Sequence, residues 1–142
     1  MDLKFNLLQK NDPDIQLLKE LHEFPSIKKY ISISENYFEY VVSEEKVRYY
    51  KVLCDDKLIG SVHLENDSEK MYLSICVHPF YQSRGYGRQI LKYVVDNLTG
   101  GAKDILVSID CDNTKSINLF ESFGFIFSGT DGLLRDYIYK LK

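Results

Sequence analysis

The chain has 142 residues, of which 44% are hydrophobic and 27% charged. This length predicts one domain spanning residues 1–142, large enough to bury a core without disulfide or metal support. The net charge of −3 argues against a nucleic-acid partner or an anionic membrane surface. No apolar run approaches the roughly 18 residues that a membrane-spanning helix needs.

The cysteines and the N-terminus indicate a compartment. Cys54, Cys76 and Cys111 are odd in number and lack C-x-x-C spacing. We interpret them as reduced core thiols rather than a disulfide framework or a zinc site. The first residues show no basic stretch followed by an apolar one, as a secretory signal would. These patterns predict a cytoplasmic protein without a bound metal.

The first third of the chain predicts one strand and two helices. A short apolar run, residues 3–8, is typical of a strand, and Asn11-Asp12-Pro13 is typical of a helix start. That helix ends at Phe24-Pro25. Ser34 is the candidate N-cap of a second helix. Its apolar face would consist of Tyr37, Phe38, Val41 and Val42.

From residue 47 the hydrophobic period changes to that of strands. Residues 47–54 and 58–64 flank the turn Asp55-Asp56-Lys57 and predict a hairpin. The remaining predicted elements are a polar turn at 65–69, a strand at 71–77, a helix at 88–98, a strand at 104–109 parallel to 71–77, a helix at 114–122, and closing strands at 125–127 and 133–141. The predicted fold class is α+β, with a mixed, mainly antiparallel sheet flanked by helices.

The segment Gln82-x-x-Gly85-x-Gly87 leads from a strand into a helix. Glycines at such a junction let the backbone approach a ligand, and the first helical amides have no intrahelical partner. The helix dipole is positive at this end, so the segment suits a phosphate or pyrophosphate. Arg84 and Arg88 add positive charge. As a bare pattern it also fits a turn that uses glycine for its geometry. Neither a P-loop nor the dinucleotide G-x-G-x-x-G is present.

Two ordered motifs point to a family. The run from Ile75 to Leu91 resembles the acetyl-CoA-binding motif of GCN5-related N-acetyltransferases (GNAT), with V-x-P, an aromatic residue and Q/R-x-x-G-x-G/A before a helix. The segment from Asn113 to Phe125 is similar to the family's N-x-x-A-x-x-L-Y-x-x-x-G-F. The resemblance covers roughly the C-terminal half. It implies the acyl-CoA N-acyltransferase (GNAT) fold, with acetyl-CoA as cosubstrate.

The resemblance also assigns residues to the coenzyme. In this family the pantetheine arm lies in a gap between two parallel strands, and loop amides bind the pyrophosphate. The residues so implied here are Ile75, Cys76, Val77, Gln82, Ser83, Arg84, Gly85, Tyr86, Gly87, Arg88, Asn113 and Ser116. Asn113 also suits a plain helix N-cap, and Ser116 suits a small residue on the helix surface.

The sequence departs from the family at the catalytic positions. The usual tyrosine acid corresponds to Phe120, and a glutamate found in some relatives that acetylate protein N-termini corresponds to Ser108. Three explanations of these departures are open. Another group replaces the two side chains, the thiolate leaves unassisted, or the protein binds the coenzyme without turnover. The two candidates for catalysis are Asp110 and Tyr72; Ser74 and His63 are further ones, although His63 also fits a packing residue.

The favoured function is transfer of acetyl from acetyl-CoA to a primary amine of a small molecule or peptide, by direct attack. The alternative is a non-catalytic CoA-binding sensor or partner-binding module. The acceptor is open. Tyr37 and Tyr40 are candidates to line its pocket, and Glu35, Glu39, Glu44 and Glu45 either attract a cationic amine or form a solvated helix face. Pairing of the closing strands between protomers would give a homodimer.

Overall fold

One seven-stranded sheet, in the order β1-β2-β3-β4-β5-β7-β6, organises the protein. The computed structural model describes residues 2–141. The strands are β1 (Leu3–Leu7), β2 (Val47–Cys54), β3 (Lys57–Asp67), β4 (Lys70–Val77), β5 (Asp104–Asp110), β6 (Ile126–Asp131) and β7 (Leu134–Lys140). The helices are α1 (Ile15–Glu23), α2 (Pro25–Lys28), α3 (Tyr37–Ser43), α4 (Tyr86–Asn97) and α5 (Thr114–Phe123). β4 and β5 pair in parallel and the other neighbours are antiparallel, which confirms the predicted fold class.

Several predicted boundaries are wrong: β6 ends at Asp131 instead of residue 127, and three further differences have a clear local cause. α4 begins at Tyr86 instead of Arg88, because Gly85 at φ 85° forms its N-cap. The N-cap of α3 is Asn36, and Ser34 instead donates a hydrogen bond from its Oγ to Asn36 Oδ1. β3 continues to Asp67, so the expected polar turn at 65–69 is mostly strand. In each case local propensity gave way to pairing or to a neighbouring backbone conformation.

The two faces of the sheet carry different helices and separate cores. We call them the α4 face, covered by α4 and α5, and the α1 face, covered by α1–α3. On β4, Met71 and Leu73 join the larger core on the α4 face, whereas Cys76 joins the smaller core on the α1 face. Because side chains alternate along a strand, Tyr72 and Ser74 project to the same face as Cys76.

A buried ion group anchors the segment before α1 to the sheet. Lys51 of β2 is 8% exposed, and its Nζ lies 2.9 Å from both Asp12 Oδ1 and Asp14 Oδ2. Burial alone would raise the pKa of Asp12, but hydrogen bonds from Lys51 and two backbone amides outweigh it and lower that pKa. Burial would likewise lower the pKa of Lys51, but the two carboxylates raise it. The segment before α1 is therefore tied to the sheet.

One single-residue expectation is corrected, and one buried histidine was not anticipated. Cys54 and Cys76 are buried free thiols, but Cys111 lies exposed in the turn after β5 and is not a core residue. His22 of α1 is buried, with its Nε2 3.4 Å from the hydroxyl of Tyr49. Within residues 2–141, none of the helices has the length and apolar character needed to cross a membrane.

Candidate active site

The sheet opens between its two parallel strands. β4 and β5 pair at only three positions, Lys70 with Asp104, Met71 with Ile105 and Tyr72 with Leu106. Beyond them β4 continues along β3 as far as Val77, while β5 continues along β7 as far as Asp110. The segments 73–77 and 107–110 therefore diverge. We call the space between them the β4–β5 gap.

The backbone of β4 presents unpaired groups to this gap. The amide of His78 donates to the carbonyl of Ile59 at 2.7 Å, and the β3–β4 register has no shift. Alternation then directs the backbone groups of Cys76 to β3 and those of Ile75 and Val77 to the gap. The Val77 carbonyl accepts a hydrogen bond from Gln82 Nε2 at 2.9 Å. The backbone groups of Ile75 and the amide of Val77 are therefore available to a ligand. The Cys76 backbone pairs with β3, so the expected backbone contact with the coenzyme applies to Ile75 and Val77 but not to Cys76.

A cavity of about 820 Å³ adjoins the gap. Its walls are residues 75–77 of β4, the glycine-bearing loop, the first turns of α5, and residues 26, 27 and 29–31 around the end of α2. Ten of the twelve residues expected to contact the coenzyme line it; the other two are Arg84 and Tyr86. The side chain of Tyr86 is buried, with its hydroxyl 3.8 Å from Cys54 Sγ. Only its backbone amide is available at the helix start.

The glycine-bearing loop directs free amides toward the cavity. Ser83 and Gly85 have φ of 61° and 85°, and the first intrahelical bond of α4 runs from the Gln89 amide to the Gly85 carbonyl. The amides of residues 86–88 therefore have no intrahelical acceptor. A Cβ built on Gly85 would meet nothing within 4 Å, whereas one on Gly87 would lie 3.1 Å from Leu119 Cδ2. Gly87 thus lets α4 approach α5.

The charges around the cavity are mainly positive. Lys29, Arg88 and Lys115 line it, and Asp112 is the acidic residue among the lining positions. Arg88 donates to Ser122 Oγ at 2.8 Å, and Arg84 lies over the ring of Tyr81 at 5.7 Å. Among residues 2–141 neither arginine has a carboxylate within 4.0 Å. Their charges are free to meet an anionic ligand.

The first turns of α5 form the opposite wall. Asn113 Oδ1 accepts a hydrogen bond from the Ser116 amide at 3.4 Å, so Asn113 is the N-cap of α5 and also lines the cavity. Phe120 is buried, packs on Phe125 at a ring distance of 5.0 Å, and lines the cavity with no proton to give. Sequence analysis missed Tyr30, whose hydroxyl donates to the Asp112 carbonyl at 3.3 Å. The two are 82 positions apart, and no local pattern links them.

The two predicted catalytic side chains lie outside the lining of this cavity. Tyr72 stands at the last paired position before the gap, projects to the α1 face and is 46% exposed. Asp110 is the last residue of β5, one residue beyond the predicted strand, and its Oδ1 accepts a hydrogen bond from the Asp112 amide at 2.9 Å. Ser108 Oγ donates to Asp136 Oδ1 at 2.7 Å. These groups border the gap on the side that carries the carboxylates of Asp110 and Asp136.

One metal-capable cluster was not expected from spacing. Ligand atoms of Asp110, Cys111 and Asp112 lie within 4.8 Å of one another. Asp110 already accepts the Asp112 amide. Exposed acidic groups at such distances are common, so the cluster by itself assigns no metal.

A mixed sheet that opens between its parallel strands, with a glycine loop and helix N-terminus at the opening, defines an acyl-CoA N-acyltransferase fold. The sequence profile described as the acetyltransferase (GNAT) family matches residues 15–125. The chain belongs to this family, which confirms the expected one, and the family and its named relatives support acetyl-CoA-dependent N-acyltransferase activity.

Individual relatives agree with this assignment. The uncharacterized N-acetyltransferase YfmK of Bacillus subtilis is 25% identical over 90% of this chain and 88% of its own length. The ribosomal protein bS18 alanine N-acetyltransferase of Salmonella typhimurium is 33% identical over 57% of this chain and 56% of its own length. An acetyltransferase structure from Thermus thermophilus superimposes with a TM-score of 0.82 at 21% identity, over 99% of this chain and 98% of that one. The last comparison concerns the fold alone.

Proposed function

We propose that the protein transfers the acetyl group of acetyl-CoA to a primary amine of a small molecule or peptide, by direct attack within a ternary complex. The observation that carries this proposal is the β4–β5 gap, which adjoins a cavity with free helix amides at its edge. A thioester placed in this gap would be reachable from the α1 face. Holding amine and thioester together supplies much of the acceleration.

The coenzyme would use both walls of the cavity. The amides of residues 86–88, with Arg84 and Arg88, suit the pyrophosphate. The gap-facing backbone of Ile75 and Val77 suits the pantetheine arm, as an added strand pairs with a sheet edge. Asn113 and Ser116 would contact its outer part.

The reaction requires little side-chain chemistry on the coenzyme side. The amine nitrogen forms a bond to the thioester carbon, the carbon–sulfur bond breaks, the nitrogen loses a proton and the thiolate takes one up. A gap-facing amide such as that of Val77 would stabilise the negative oxygen. Since Phe120 has no proton to give, Tyr72 and Asp110 are our candidates for proton transfer. A thiolate is also a weak enough base to leave unassisted.

The binding test uses calorimetry with CoA and two glycine variants. Gly85→Glu would place a carboxylate where the pyrophosphate belongs, and we expect at least about a hundredfold loss of affinity. Gly101→Glu is the matched control, because Gly101 has φ 83° and open space around a built Cβ. Failure of the folded wild-type protein to take up CoA at millimolar concentration would overturn the proposal.

A second candidate function is a CoA-binding module without catalysis, which the buried phenylalanine at position 120 favours. Thiol release from acetyl-CoA with a panel of amines separates the two functions. Sustained turnover excludes the module. CoA uptake without turnover on any amine would support it.

Location and assembly are part of the proposal. The buried free thiols of Cys54 and Cys76 support the expected cytoplasmic location. β6 lies at one end of the sheet, and pairing of such an edge with that of a second copy would give the expected homodimer. Sedimentation over a range of protein concentrations tests this assembly.

A further inference from the structure

A hydrogen-bonded network on the α1 face lies beside the entrance to the gap. The hydroxyl of Tyr37 is 2.6 Å from His63 Nδ1, and His63 Nε2 is 3.5 Å from Glu65 Oε1. The hydroxyl of Tyr40 donates to the same Glu65 oxygen at 2.8 Å. Tyr40 and His63 therefore contact one carboxylate directly, and Tyr37 contacts the other ring nitrogen of His63.

The network has a single charge at neutral pH. Burial lowers the pKa of His63, and the neighbouring Glu65 does not offset this effect, so the imidazole is neutral. Burial, with smaller contributions from its neighbours, raises the pKa of Tyr37, so its hydroxyl keeps its proton. When Tyr37 donates to Nδ1, the ring hydrogen is on Nε2 and points to Glu65. Two donors then hold Oε1, while Oε2 has no partner among residues 2–141.

The sheet register places this carboxylate near the reacting centre. Glu65 is opposite Tyr72, the last residue of β4 that pairs with β5, and His63 is opposite Ser74. The gap-facing backbone of Ile75 is three residues beyond Tyr72, or about 10 Å along the strand. Part of this distance is taken up by a hydrogen bond to Glu65 at one end and by the approach of the attacking nitrogen to the thioester at the other. The remainder suits a short alkyl chain.

The carboxylate also has no cation of its own. Its side chain is 36% exposed, and among the described residues its one salt-bridge contact is to the neutral His63. Residues 31–45, which include α3, contain four glutamates and no lysine or arginine. An acceptor with a positive charge would therefore meet a held, unneutralised carboxylate.

We propose that Glu65, held by Tyr40 and His63, binds a positively charged group of the acceptor and thereby selects short alkyl diamines. This inference rests on the proposed transfer to an amine and names its substrate class. One ammonium of the diamine would lie on Glu65, and the other nitrogen, in its neutral form, would attack the thioester in the gap. His63 and Tyr40 are positioning residues.

The first test compares 1,4-diaminobutane with butylamine, which has the same chain but lacks the second amine. With acetyl-CoA saturating, we expect kcat/KM to favour the diamine by about tenfold or more, and Glu65→Gln to reduce that preference to about the twofold statistical factor. Glu20→Gln, at an exposed glutamate of α1 outside residues 31–45, is the control and should keep the preference. The KM for acetyl-CoA should not change.

The outcomes separate this inference from the proposed function. Absence of CoA uptake would overturn both. CoA uptake with turnover of butylamine, but with a diamine preference that is missing or survives Glu65→Gln, would overturn only the assignment of Glu65. If neither amine is acetylated, calorimetric binding of 1,4-diaminobutane to the CoA-loaded protein decides, and absence of binding counts against the site. Tyr40→Phe gives a second variant, with a smaller expected loss of preference.

The pH dependence gives an independent readout. Protonation of His63 would neutralise Glu65, so the diamine preference should fall as pH drops through the pKa of His63, which burial lowers from its ordinary value of 6.5, and become flat in His63→Gln. The titratable groups around the network are Tyr37 and Tyr40 of α3, His22 of α1, Tyr49 of β2, Tyr72 and Cys76 of β4, Glu44 and Glu65. Burial also lowers the pKa of His22, so His22→Gln is the control. A preference that is flat in the wild type would contradict the positioning role of His63.

Discussion

The two sides of the β4–β5 gap are built by different means. On the α4 side the proposed coenzyme site consists largely of backbone groups, namely the amides of residues 86–88 and the gap edge of β4. Its surrounding charges are mostly positive. On the α1 side the candidate acceptor site consists of side chains from α3 and β3, centred on the Glu65 carboxylate. If both proposals hold, one sheet separates a site for an anion from a site for a cation.

This difference has a physical consequence. Backbone amides hold a pyrophosphate whatever most of the side chains are, so the coenzyme site tolerates wide sequence variation around its glycines. A side-chain site changes whenever one residue changes. The relatives here are 25% and 33% identical to the chain, and we therefore expect coenzyme binding to be shared more widely than acceptor choice.

The largest expected effect comes from a substitution in the buried ion group that supports the α1 side. Lys51→Ala leaves the side-chain carboxylates of Asp12, 5% exposed, and Asp14, 29% exposed, without their cation. We expect it to lower the free energy of unfolding by about 3 kcal/mol, the lower end of the range for breaking a buried ion pair, because Asp14 is partly exposed. Lys28→Ala is the control, since Lys28 and Glu23 form an exposed pair that contributes at most about 1 kcal/mol. Urea denaturation of both variants measures the difference. Equal losses would show that the buried ion group contributes nothing special.

The same ion group predicts a pH dependence of stability. The pKa of Asp12 is lowered in the folded state, so its contribution is complete above its ordinary value of 3.8 and is lost as pH falls through the folded value. The pKa of Lys51 is raised, so its contribution is present below 10.5 and is lost as pH rises through the folded value. The stability gap between wild type and Lys51→Ala should therefore shrink at about pH 3. A gap of the same size there would contradict this account.

An effect of intermediate size is expected from substitution of the two candidates for proton transfer at the gap. Tyr72 stands at the entrance to the gap, and we expect Tyr72→Phe to lower kcat by about ten- to a hundredfold if its hydroxyl protonates the thiolate. Asp110→Asn should have a smaller effect, because that carboxylate is bound to the Asp112 amide. Thiol release under saturating substrates measures both. Wild-type kcat in both variants would show that the thiolate leaves unassisted.

The smallest expected effect is on the coenzyme side. Arg88→Ala should weaken CoA binding by about tenfold, because the arginine adds charge to a site that backbone amides already form. The loss should diminish at high salt. Arg135→Ala is the control, since Arg135 lies on β7 over the ring of Phe127 at 4.8 Å. If Arg88→Ala abolished binding as completely as Gly85→Glu, the backbone description of this side would be wrong.

Most elements were predictable where one local pattern dominates. The hairpin of β2 and β3, the parallel placement of β5 and the approximate extent of α5 follow from periodicity and turn residues. The start of α4 was not, because a glycine in the left-handed region displaced it by two residues. The burial of His22 was also missed. A single apolar face does not show how deeply a polar residue beside it will lie.

The sequence by itself determined the family and the segments proposed to bind the coenzyme, because residues 75–88 and 113–120 are each contiguous and their chemistry depends on local backbone conformation. Only the tertiary structure decided where β4 leaves β5, which amides of β4 face the gap, and that Tyr37, Tyr40, His63 and Glu65 meet. The physical reason is that strand register and helix packing bring together residues more than 20 positions apart, and no short-range pattern carries that information.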